Sequence, residues 1–391
     1  MELNPELRNA IMIFYLVLRA LDTIEDDMSI DPKIKIPLLR SFHEKLLLKD
    51  WTFNGNADTE KDKIVLVKFN NILTEYSKLK PEYQDIIKDI TEKMGNGMAD
   101  YINNEDFNLN GVKTIADYDL YCYYVAGLVG FGLTKLGVAS NFSDPYLLDH
   151  MELSKSMGLF LQKTNIIRDY KEDQLDGRSF WPEEIWSKYA DKLSDFTKSE
   201  NQEKGLYCIT DLVLNSMSHI KDVLVYLTMV YDHSTFNFCA IPQVMAIATL
   251  AEVFQNKNVL NTNVKIRKGK ACELILKSRT YEDVLKVFSD YLRIIHHKCP
   301  VSDPNYLSIG IMCGELEQFI EELNPNPAHL PKGVKPMETP NYLRALKKKE
   351  SDVDMARVVK VEYWGSYIVM TFVGLSLISI MYTCCDILGF L

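Results

Sequence analysis

Residues 11–26 read Ile-Met-Ile-Phe-Tyr-Leu-Val-Leu-Arg-Ala-Leu-Asp-Thr-Ile-Glu-Asp, an apolar run that ends in a cluster of carboxylates. Apolar residues recur in it at spacings of three and four, as at Ile11, Phe14 and Leu18. This period is that of an amphipathic α-helix. The same spacing continues through most of the chain, whereas strand-like alternation is scarce. We therefore predict an all-α fold.

The length of the chain fits two to three domains or one large helical domain. The 391 residues are 47% hydrophobic and 25% charged, which are ordinary values for a globular protein. The net charge of −10 argues against a nucleic-acid-binding surface. The eight cysteines form no C-x-x-C pair, and the histidines form no H-E-x-x-H motif. We therefore expect reduced thiols in a cytosolic compartment and no zinc site.

The C-terminal part of the sequence differs in composition from the rest. Five of the fourteen prolines lie between Pro325 and Pro340, a density that no helix interior tolerates. We predict a helical domain over 1–324, a proline-rich and basic tether over 325–362 and a transmembrane helix over 363–385, which carries no charge. About 20 apolar residues span a bilayer core, and the lysines that precede this segment place the large domain in the cytosol. A buried core helix is the alternative.

The pattern D-x-x-E-D occurs twice, at Asp22–Asp26 and at Asp169–Asp173. On a helix, positions i, i+3 and i+4 share a face, so each copy directs two or three carboxylates to one place. Their mutual repulsion favours a bound cation, and Mg²⁺ accepts carboxylates while it keeps positions for water and phosphate. The alternative for either copy alone is a solvated acidic face. The predicted magnesium ligands are Asp22, Glu25, Asp26, Asp169 and Asp173.

A stripe of polar side chains continues the second acidic set along an otherwise apolar helix, in steps of three, four and four residues: Gln162, Asn165, Asp169 and Asp173. Such a stripe indicates a polar ligand in front of it. Arg19 and Arg168 lie close in sequence to the two acidic sets. An arginine beside a metal–carboxylate cluster is suited to binding a diphosphate.

Residues 121–132 read Tyr-Cys-Tyr-Tyr-Val-Ala-Gly-Leu-Val-Gly-Phe-Gly. Each glycine costs a helix about 1 kcal/mol relative to alanine, and the close approach of another helix or of a long ligand would explain that cost. The pattern G-x-x-G-x-G is not the dinucleotide-binding fingerprint, and no strand is predicted before it. We therefore reject a Rossmann site here.

Six segments together make the chain resemble a known family: 22–27, 121–132, 160–173, 177–182, 236–250 and 265–269. The chain resembles the eukaryotic squalene synthases, and the fungal members above all. The resemblance implies a single-domain, all-α isoprenoid-synthase bundle held at the endoplasmic reticulum membrane. It also implies head-to-head condensation of two farnesyl diphosphates to presqualene diphosphate, which NADPH then reduces to squalene.

The resemblance also assigns roles to individual residues. Tyr121 matches the tyrosine implicated in proton removal as the cyclopropane closes, and Phe236 and Phe238 match aromatic residues that line the pocket of the second half-reaction. The two acidic sets match the family's magnesium-binding motifs. The positions assigned to the phosphates of NADPH are matched by Arg19, Arg168, Lys265 and Arg267. The remaining candidate substrate-binding residues are Gln162, Asn165 and Arg178.

Two departures from the family pattern keep alternatives open. Tyr123 stands where the family has a histidine, and the chain begins 21 residues before Asp22, without the family's upstream Ser-Arg-Ser-Phe segment. One alternative is a catalytically impaired, shortened form that acts as a membrane-tethered partner protein. Another is a phytoene-synthase-like enzyme that condenses its substrates without reducing the product. The basic segment 265–270 and the C-terminal anchor favour the reductive enzyme.

Overall fold

The structure is a computed structural model that describes residues 3–102, 104, 111–326, 328–330 and 335–353. Within these residues the chain folds into helices, and its single β-type pairing is an isolated bridge between Ser143 and Val230. The predicted all-α fold is confirmed for this part of the chain. The predicted transmembrane helix over 363–385 lies outside the described residues.

The helices of the first part of the chain are α1 (Pro5–Asp26), α2 (Pro32–Arg40), α3 (Phe42–Lys45), α4 (Lys63–Val67), α5 (Phe69–Tyr76), α6 (Pro81–Ile102), α7 (Ile115–Cys122), a π-helix (Tyr123–Gly127), α8 (Leu128–Ala139) and α9 (Tyr146–Asp149). The later helices are α10 (Met151–Arg168), α11 (Tyr170–Leu175), α12 (Glu183–Trp186), α13 (Gln202–Met217), α14 (Ile220–Leu227), α15 (His233–Val253), α16 (Lys268–Leu276), α17 (Tyr281–Lys298) and α18 (Tyr306–Leu323). Short 3₁₀ turns lie at Leu193–Thr197, Ser199–Asn201 and Lys257–Leu260.

Helix α1 has the boundaries that its sequence favours. The side chain of Asn4 caps it by accepting the N–H of Glu6, and Pro5 occupies the first helical position, where it loses no hydrogen bond. The helix ends at Asp26 because Asp27 turns the backbone to an extended conformation. The carboxylates of the first acidic set therefore lie at the C-terminal end of a long helix that buries one face in the fold.

Two hydrophobic cores hold the described helices together. The smaller core consists of α1 to α6 and part of α8. The larger core is built from α7 and the later helices, and α10 crosses it in contact with α13, α14 and α15. Tyr123 and Phe238 pack against both cores. These two residues therefore mark the place where the two cores meet.

The glycine-rich segment allows helices to approach closely, as its sequence predicts. A Cβ atom on Gly158 of α10 would lie 2.4 Å from the carbonyl oxygen of Ala126 in the π-helix. A Cβ atom on Gly130 of α8 would lie 2.6 Å from the carbonyl oxygen of Ser154. Backbone contacts therefore exclude larger side chains at these glycines. The π-helix itself was not predicted, although such segments are frequent at functional sites.

Two described helical stretches are long and apolar enough to cross a membrane, Ile115–Ala139 and His233–Val253. Their most apolar windows are 39% and 67% buried inside the fold. Both stretches contribute side chains to the hydrophobic cores. We therefore interpret them as core helices of the domain.

The end of the helical domain predicted at residue 324 is wrong. Residues 340–353 form a further helix, and its Ala345 is fully buried in the larger core. The hydroxyl oxygen of Thr339 accepts the N–H of Tyr342 at 3.1 Å, which caps this helix. Pro340 occupies the first helical position, which proline tolerates well. The last proline of the cluster therefore begins a helix that belongs to the domain.

Candidate active site

The first acidic set lies in the last turn of α1. Asp22 and Glu25 are only partly exposed. Burial, together with repulsion from Asp26, raises the pKa of Asp22 to about 7 and that of Glu25 to about 8. The ammonium of Lys35 donates to the backbone carbonyl of Glu25 at 2.8 Å. The environment therefore disfavours the charged carboxylates, and a bound cation would offset that effect.

The second acidic set straddles the junction between α10 and α11. Asp169 is the junction residue, and its carbonyl accepts the N–H of Asp173 at 3.0 Å, so the two carboxylates stay one helical turn apart. Arg168 donates two hydrogen bonds, of 2.7 and 2.6 Å, to the carboxylate of Asp169. Burial raises the pKa of Asp173 to about 7. Asp173 therefore resembles Asp22 and Glu25, because its environment also disfavours the charged carboxylate.

Arg178 joins the two acidic sets. Its Nη1 atom lies 3.4 Å from Oδ1 of Asp26, and its Nη2 atom lies 3.6 Å from Oδ1 of Asp173 and 3.0 Å from Oδ2 of Asp176. The acidic ends of α1 and α11 thus face one guanidinium, although the two helices belong to different cores. Within the described ranges, no group of three or more His, Cys, Asp or Glu side chains is arranged to hold a metal ion.

Tyr121 lies beside this acidic site. Its ring stacks on Phe180 at a centroid distance of 4.9 Å and meets Tyr101 edge-on at 5.3 Å. The guanidinium of Arg178 lies 5.7 Å from the centroid of Phe180. Burial and the nearby Glu25 raise the pKa of the Tyr121 phenol well above its usual range. The phenol is therefore protonated at neutral pH.

Phe236 and Phe238 do not line one surface. Residues at positions i and i+2 of a helix, such as these two, point about 200° apart. The ring of Phe236 is fully buried in the larger core. The ammonium of Lys348 lies 4.2 Å from the centroid of that ring. Phe238 is only partly buried and packs against both cores. Phe238, and not Phe236, therefore lies at the junction of the two cores.

The predicted polar stripe is present on α10. Gln162 and Asn165 are partly exposed, and they precede Asp169 by about two turns and one turn of helix. Arg19 lies one turn before Asp22. Its guanidinium donates a hydrogen bond to the hydroxyl of Tyr15 and lies 3.9 Å from Oδ2 of Asp62. The hydrogen bond to Tyr15, together with the charges of Asp22 and Asp62, raises the pKa of Arg19. Both ends of the site therefore combine carboxylates with an arginine.

Lys163 was not predicted from the sequence as a site residue. It lies between the stripe residues but on the buried face of α10, with 1% of its side chain exposed. Its ammonium lies 2.6 Å from Oδ1 of Asp119, 2.6 Å from Oδ1 of Asn215 and 2.9 Å from Nε2 of His219. This network anchors the back of the helix whose front carries the polar stripe. The sequence signal for this buried, paired lysine is its position on the apolar face of a predicted core helix.

Lys265 and Arg267 are exposed, in the segment between the 3₁₀ turn Lys257–Leu260 and α16. They line a cavity of about 650 Å³ together with residues of α15, α16 and α17. Asn263, two residues before Lys265, donates a hydrogen bond to Glu172 of the second acidic set. The basic segment therefore starts beside the acidic site, although it is remote from it in sequence.

The comparisons with known proteins agree on one family. A family model described as squalene/phytoene synthase matches residues 1–270. The squalene synthase of Cyberlindnera jadinii is 58% identical over 381 residues, which are 97% of this chain and 86% of that protein. This chain belongs to the squalene synthase family. The squalene synthase of Saccharomyces cerevisiae is 56% identical over 97% of this chain and 85% of its own length.

Solved structures give the same result for the fold. The structure of TcSQS in complex with the ligand BPH1237 matches with a TM-score of 0.77 and 41% identity, and the match covers 82% of this chain and 92% of that one. The family and the helical bundle predicted from the sequence are thus confirmed. The enzyme's overall reaction is the condensation of farnesyl diphosphate to squalene in sterol biosynthesis.

Proposed function

We propose that the chain acts in two steps: Mg²⁺-dependent condensation of two farnesyl diphosphates to presqualene diphosphate, followed by reduction to squalene with NADPH. The observation that carries this proposal is the position of Arg178 between Asp26 and Asp173. It brings acidic groups from two separate cores to one place, where a charged diphosphate can be held between them. A solvated acidic face would not need this arrangement.

The acidic residues suit Mg²⁺. The donors are all carboxylates, the ligand type that hard cations prefer, and burial and mutual repulsion raise the pKa of three of them. We propose that Asp22, Glu25 and Asp26 of the first set and Asp169 and Asp173 of the second set would hold the metal. When bound, Mg²⁺ stabilises the diphosphate leaving group as a Lewis acid.

The arginines at the site suit the diphosphate itself. The guanidinium groups of Arg168 and Arg178 contact carboxylates of the acidic sets, Arg19 lies one turn before Asp22 on α1, and guanidinium binds phosphate oxygens in a bidentate manner. As the substrate ionises, these groups bind the negative charge that develops on the leaving group. Arg168 and Arg178 are paired with carboxylates in the described structure, so they are already oriented toward the place where that charge forms.

Ionisation leaves an allylic carbocation from which water must be excluded. The rings of Tyr121, Phe180 and Tyr101 lie together beside the acidic site, and aromatic faces attract positive charge. A neutral phenol is a weak base. We therefore propose that Tyr121 relays a proton: its oxygen accepts the proton released as the cyclopropane closes, while its own O–H proton passes to an oxygen of the departing diphosphate.

The reductive step needs a hydride, which NADPH supplies when bound. Lys265 and Arg267 are exposed cations of the kind that binds phosphates. The hydrogen bond between Asn263 and Glu172 supports a reductant that reaches the site of condensation from this side. Phe238, between the two cores, can then shield the second carbocation.

We further propose that 363–385 anchors the enzyme in the endoplasmic reticulum membrane with the helical domain in the cytosol. The segment carries no charge over twenty-three residues, and Lys347, Lys348 and Lys349 precede it. Nine residues separate it from the helix at 340–353. The active site would therefore stay close to the membrane into which squalene, an apolar product, must pass.

The test is product analysis of the full chain in detergent with farnesyl diphosphate. With Mg²⁺ and NADPH we expect squalene, without NADPH we expect presqualene diphosphate, and with a chelator we expect neither. A phytoene-synthase-like enzyme would give a desaturated C30 hydrocarbon without NADPH. A silent partner protein would give no product under any of these conditions.

Variants sharpen that test. Asp26→Asn and Asp173→Asn should each lower both half-reactions by about 100-fold or more, because each removes a charged metal ligand. The double variant Lys265→Ala/Arg267→Ala should accumulate presqualene diphosphate and form little squalene. Asp100→Asn, at a surface ion pair with Arg40, is the matched control and should keep full activity. Ordinary activity of both acidic-site variants at saturating Mg²⁺ would refute the assignment.

A further inference from the structure

A buried ion pair connects the helix at 340–353 with the larger core. Lys348 has 1% of its side chain exposed, and Asp352 has 5%. The lysine ammonium lies 3.1 Å from Oδ1 of Asp352 and 4.2 Å from the centroid of Phe236. Lysine is almost never fully buried unless it is paired. This one has a carboxylate and an aromatic face as partners, and both lie inside the fold.

The same pair also reaches the start of α17. Oδ2 of Asp352 accepts the N–H of Tyr281 at 2.7 Å. Tyr281 is the first residue of α17, so its N–H has no partner within its own helix. Asp352 thus satisfies a donor that would otherwise be buried and unpaired, since Tyr281 is fully buried. The pair therefore ties three helices together: the one at 340–353, α15 and α17.

This connection acts on the helix that carries Phe238. Phe236 lies in the first turn of α15, two residues before Phe238, so the ring under Lys348 and the ring between the cores belong to one rigid stretch of backbone. A cation over an aromatic face interacts most strongly when both are desolvated. Lys348 therefore holds the opposite side of the turn from which Phe238 projects.

We infer that Lys348, paired with Asp352, is a positioning residue of the second half-reaction, because it fixes the first turn of α15 and thereby the place of Phe238 in the wall of the site. The inference rests on the proposed function for the role of Phe238. It makes the segment that leads to the predicted membrane anchor part of the active-site architecture. A tether that only links the domain to a membrane would need no buried ion pair.

Neighbouring contacts on the same helix provide a control. The guanidinium of Arg344 lies 4.5 Å from the ring of Tyr146, and the ammonium of Lys347 lies 5.2 Å from the ring of Tyr231. Both rings are exposed at the surface, and neither Tyr146 nor Tyr231 belongs to α15. Lys347→Met therefore removes the same charge and the same type of contact one residue away, without touching Phe236.

The test compares Lys347→Met with the double variant Lys348→Met/Asp352→Asn. The double variant removes both charges, so it leaves no unpaired buried carboxylate, and Asn can still accept the N–H of Tyr281. One measurement is the ratio of squalene to presqualene diphosphate at saturating NADPH. The other is hydrogen exchange of the amide of Phe236, which donates to the carbonyl of Asp232 at 2.8 Å.

We expect the double variant to lower the product ratio about tenfold with an unchanged KM for farnesyl diphosphate, and to speed amide exchange at 236–238 about tenfold. Lys347→Met should change neither quantity, and Lys348→Arg should retain most of the ratio. Unchanged exchange in the double variant overturns the inference, and so does an equal loss of both half-reactions with faster exchange throughout the domain. Failure of the unaltered chain to form squalene would refute the proposed function instead, and the exchange measurement would still decide about Lys348.

Discussion

Replacing Gly158 with alanine forces apart the two elements that shape the site. A Cβ atom at this position would lie 2.4 Å from the carbonyl oxygen of Ala126, 2.6 Å from its carbonyl carbon and 2.8 Å from the amide nitrogen of Gly127. All three are backbone atoms, so no side-chain rotation relieves the overlap. Ordinary contact begins near 3.4 Å, so α10 and the π-helix must separate by about 1 Å.

The cost of this displacement follows from two opposing terms. Overpacking a close-packed interior costs about 1–3 kcal/mol, and overlap with backbone places Gly158→Ala at the upper end of this range. Alanine in a helix recovers about 1 kcal/mol relative to glycine. We therefore expect the free energy of unfolding to fall by about 2 kcal/mol, a large share of the roughly 5–15 kcal/mol that stabilises a typical domain.

The loss of turnover should exceed the loss of stability. The π-helix directly follows the helix of Tyr121, and α10 carries Asn165 and leads into Asp169. A shift of about 1 Å between them changes the distance from the proposed proton relay to the proposed metal ligands. Misplacement of that size can cost about 100-fold in rate. We expect presqualene diphosphate formation to fall about 10- to 100-fold in protein that remains folded.

Gly314→Ala is the matched control. Gly314 is exposed in the middle of α18, and a Cβ atom there meets nothing within 4 Å. This variant should be more stable by about 0.5–1 kcal/mol and fully active. Thermal unfolding and single-turnover product formation measure both variants. A Gly158→Ala protein with the stability and rate of the unaltered chain would show that the close contact is not required, and the reasoning would fail.

Two further predictions concern the helix at 340–353 and a buried histidine. Truncation after residue 353 should leave specific activity in detergent unchanged. Truncation after residue 339 should instead expose the core around Ala345, leave the N–H of Tyr281 without its acceptor and cause aggregation. A stable and active protein that ends at residue 339 would contradict this prediction. Burial and the charge of Lys163 lower the pKa of His219 to about 3 in the folded protein. As the pH falls below about 6.5, the imidazole of His219 therefore binds a proton in the unfolded chain but not in the folded one. Stability should therefore decline from pH 6.5 toward 3, and His219→Gln should flatten that decline in pH-dependent urea unfolding; equal slopes would exclude the histidine as the cause.

The sequence contains the signals for the helices and for the acidic site. The three-and-four spacing of apolar residues in α1 and the repeated D-x-x-E-D pattern are local properties, so they can be read without knowledge of the fold. The role of Arg178 is not local, because it depends on how α1 and α11 approach each other. The opposite orientation of Phe236 and Phe238 could have been predicted, since residues two positions apart on a helix point about 200° apart.

The helix at 340–353 shows why a run of basic residues can be mistaken for a solvated segment outside the domain. Thr339 and Pro340 form a good helix start, an N-cap followed by proline at the first position, but they lie within a proline cluster that indicates irregular structure. Lys347, Lys348 and Lys349 suggest a solvated surface. Three consecutive residues of a helix nevertheless spread over about 200° of its circumference, so a helix that packs against the domain must direct one of them inward. Lys348 is that residue because Asp352, one turn later, can neutralise it there, and this i, i+4 pair was the sequence evidence that the segment folds onto the domain.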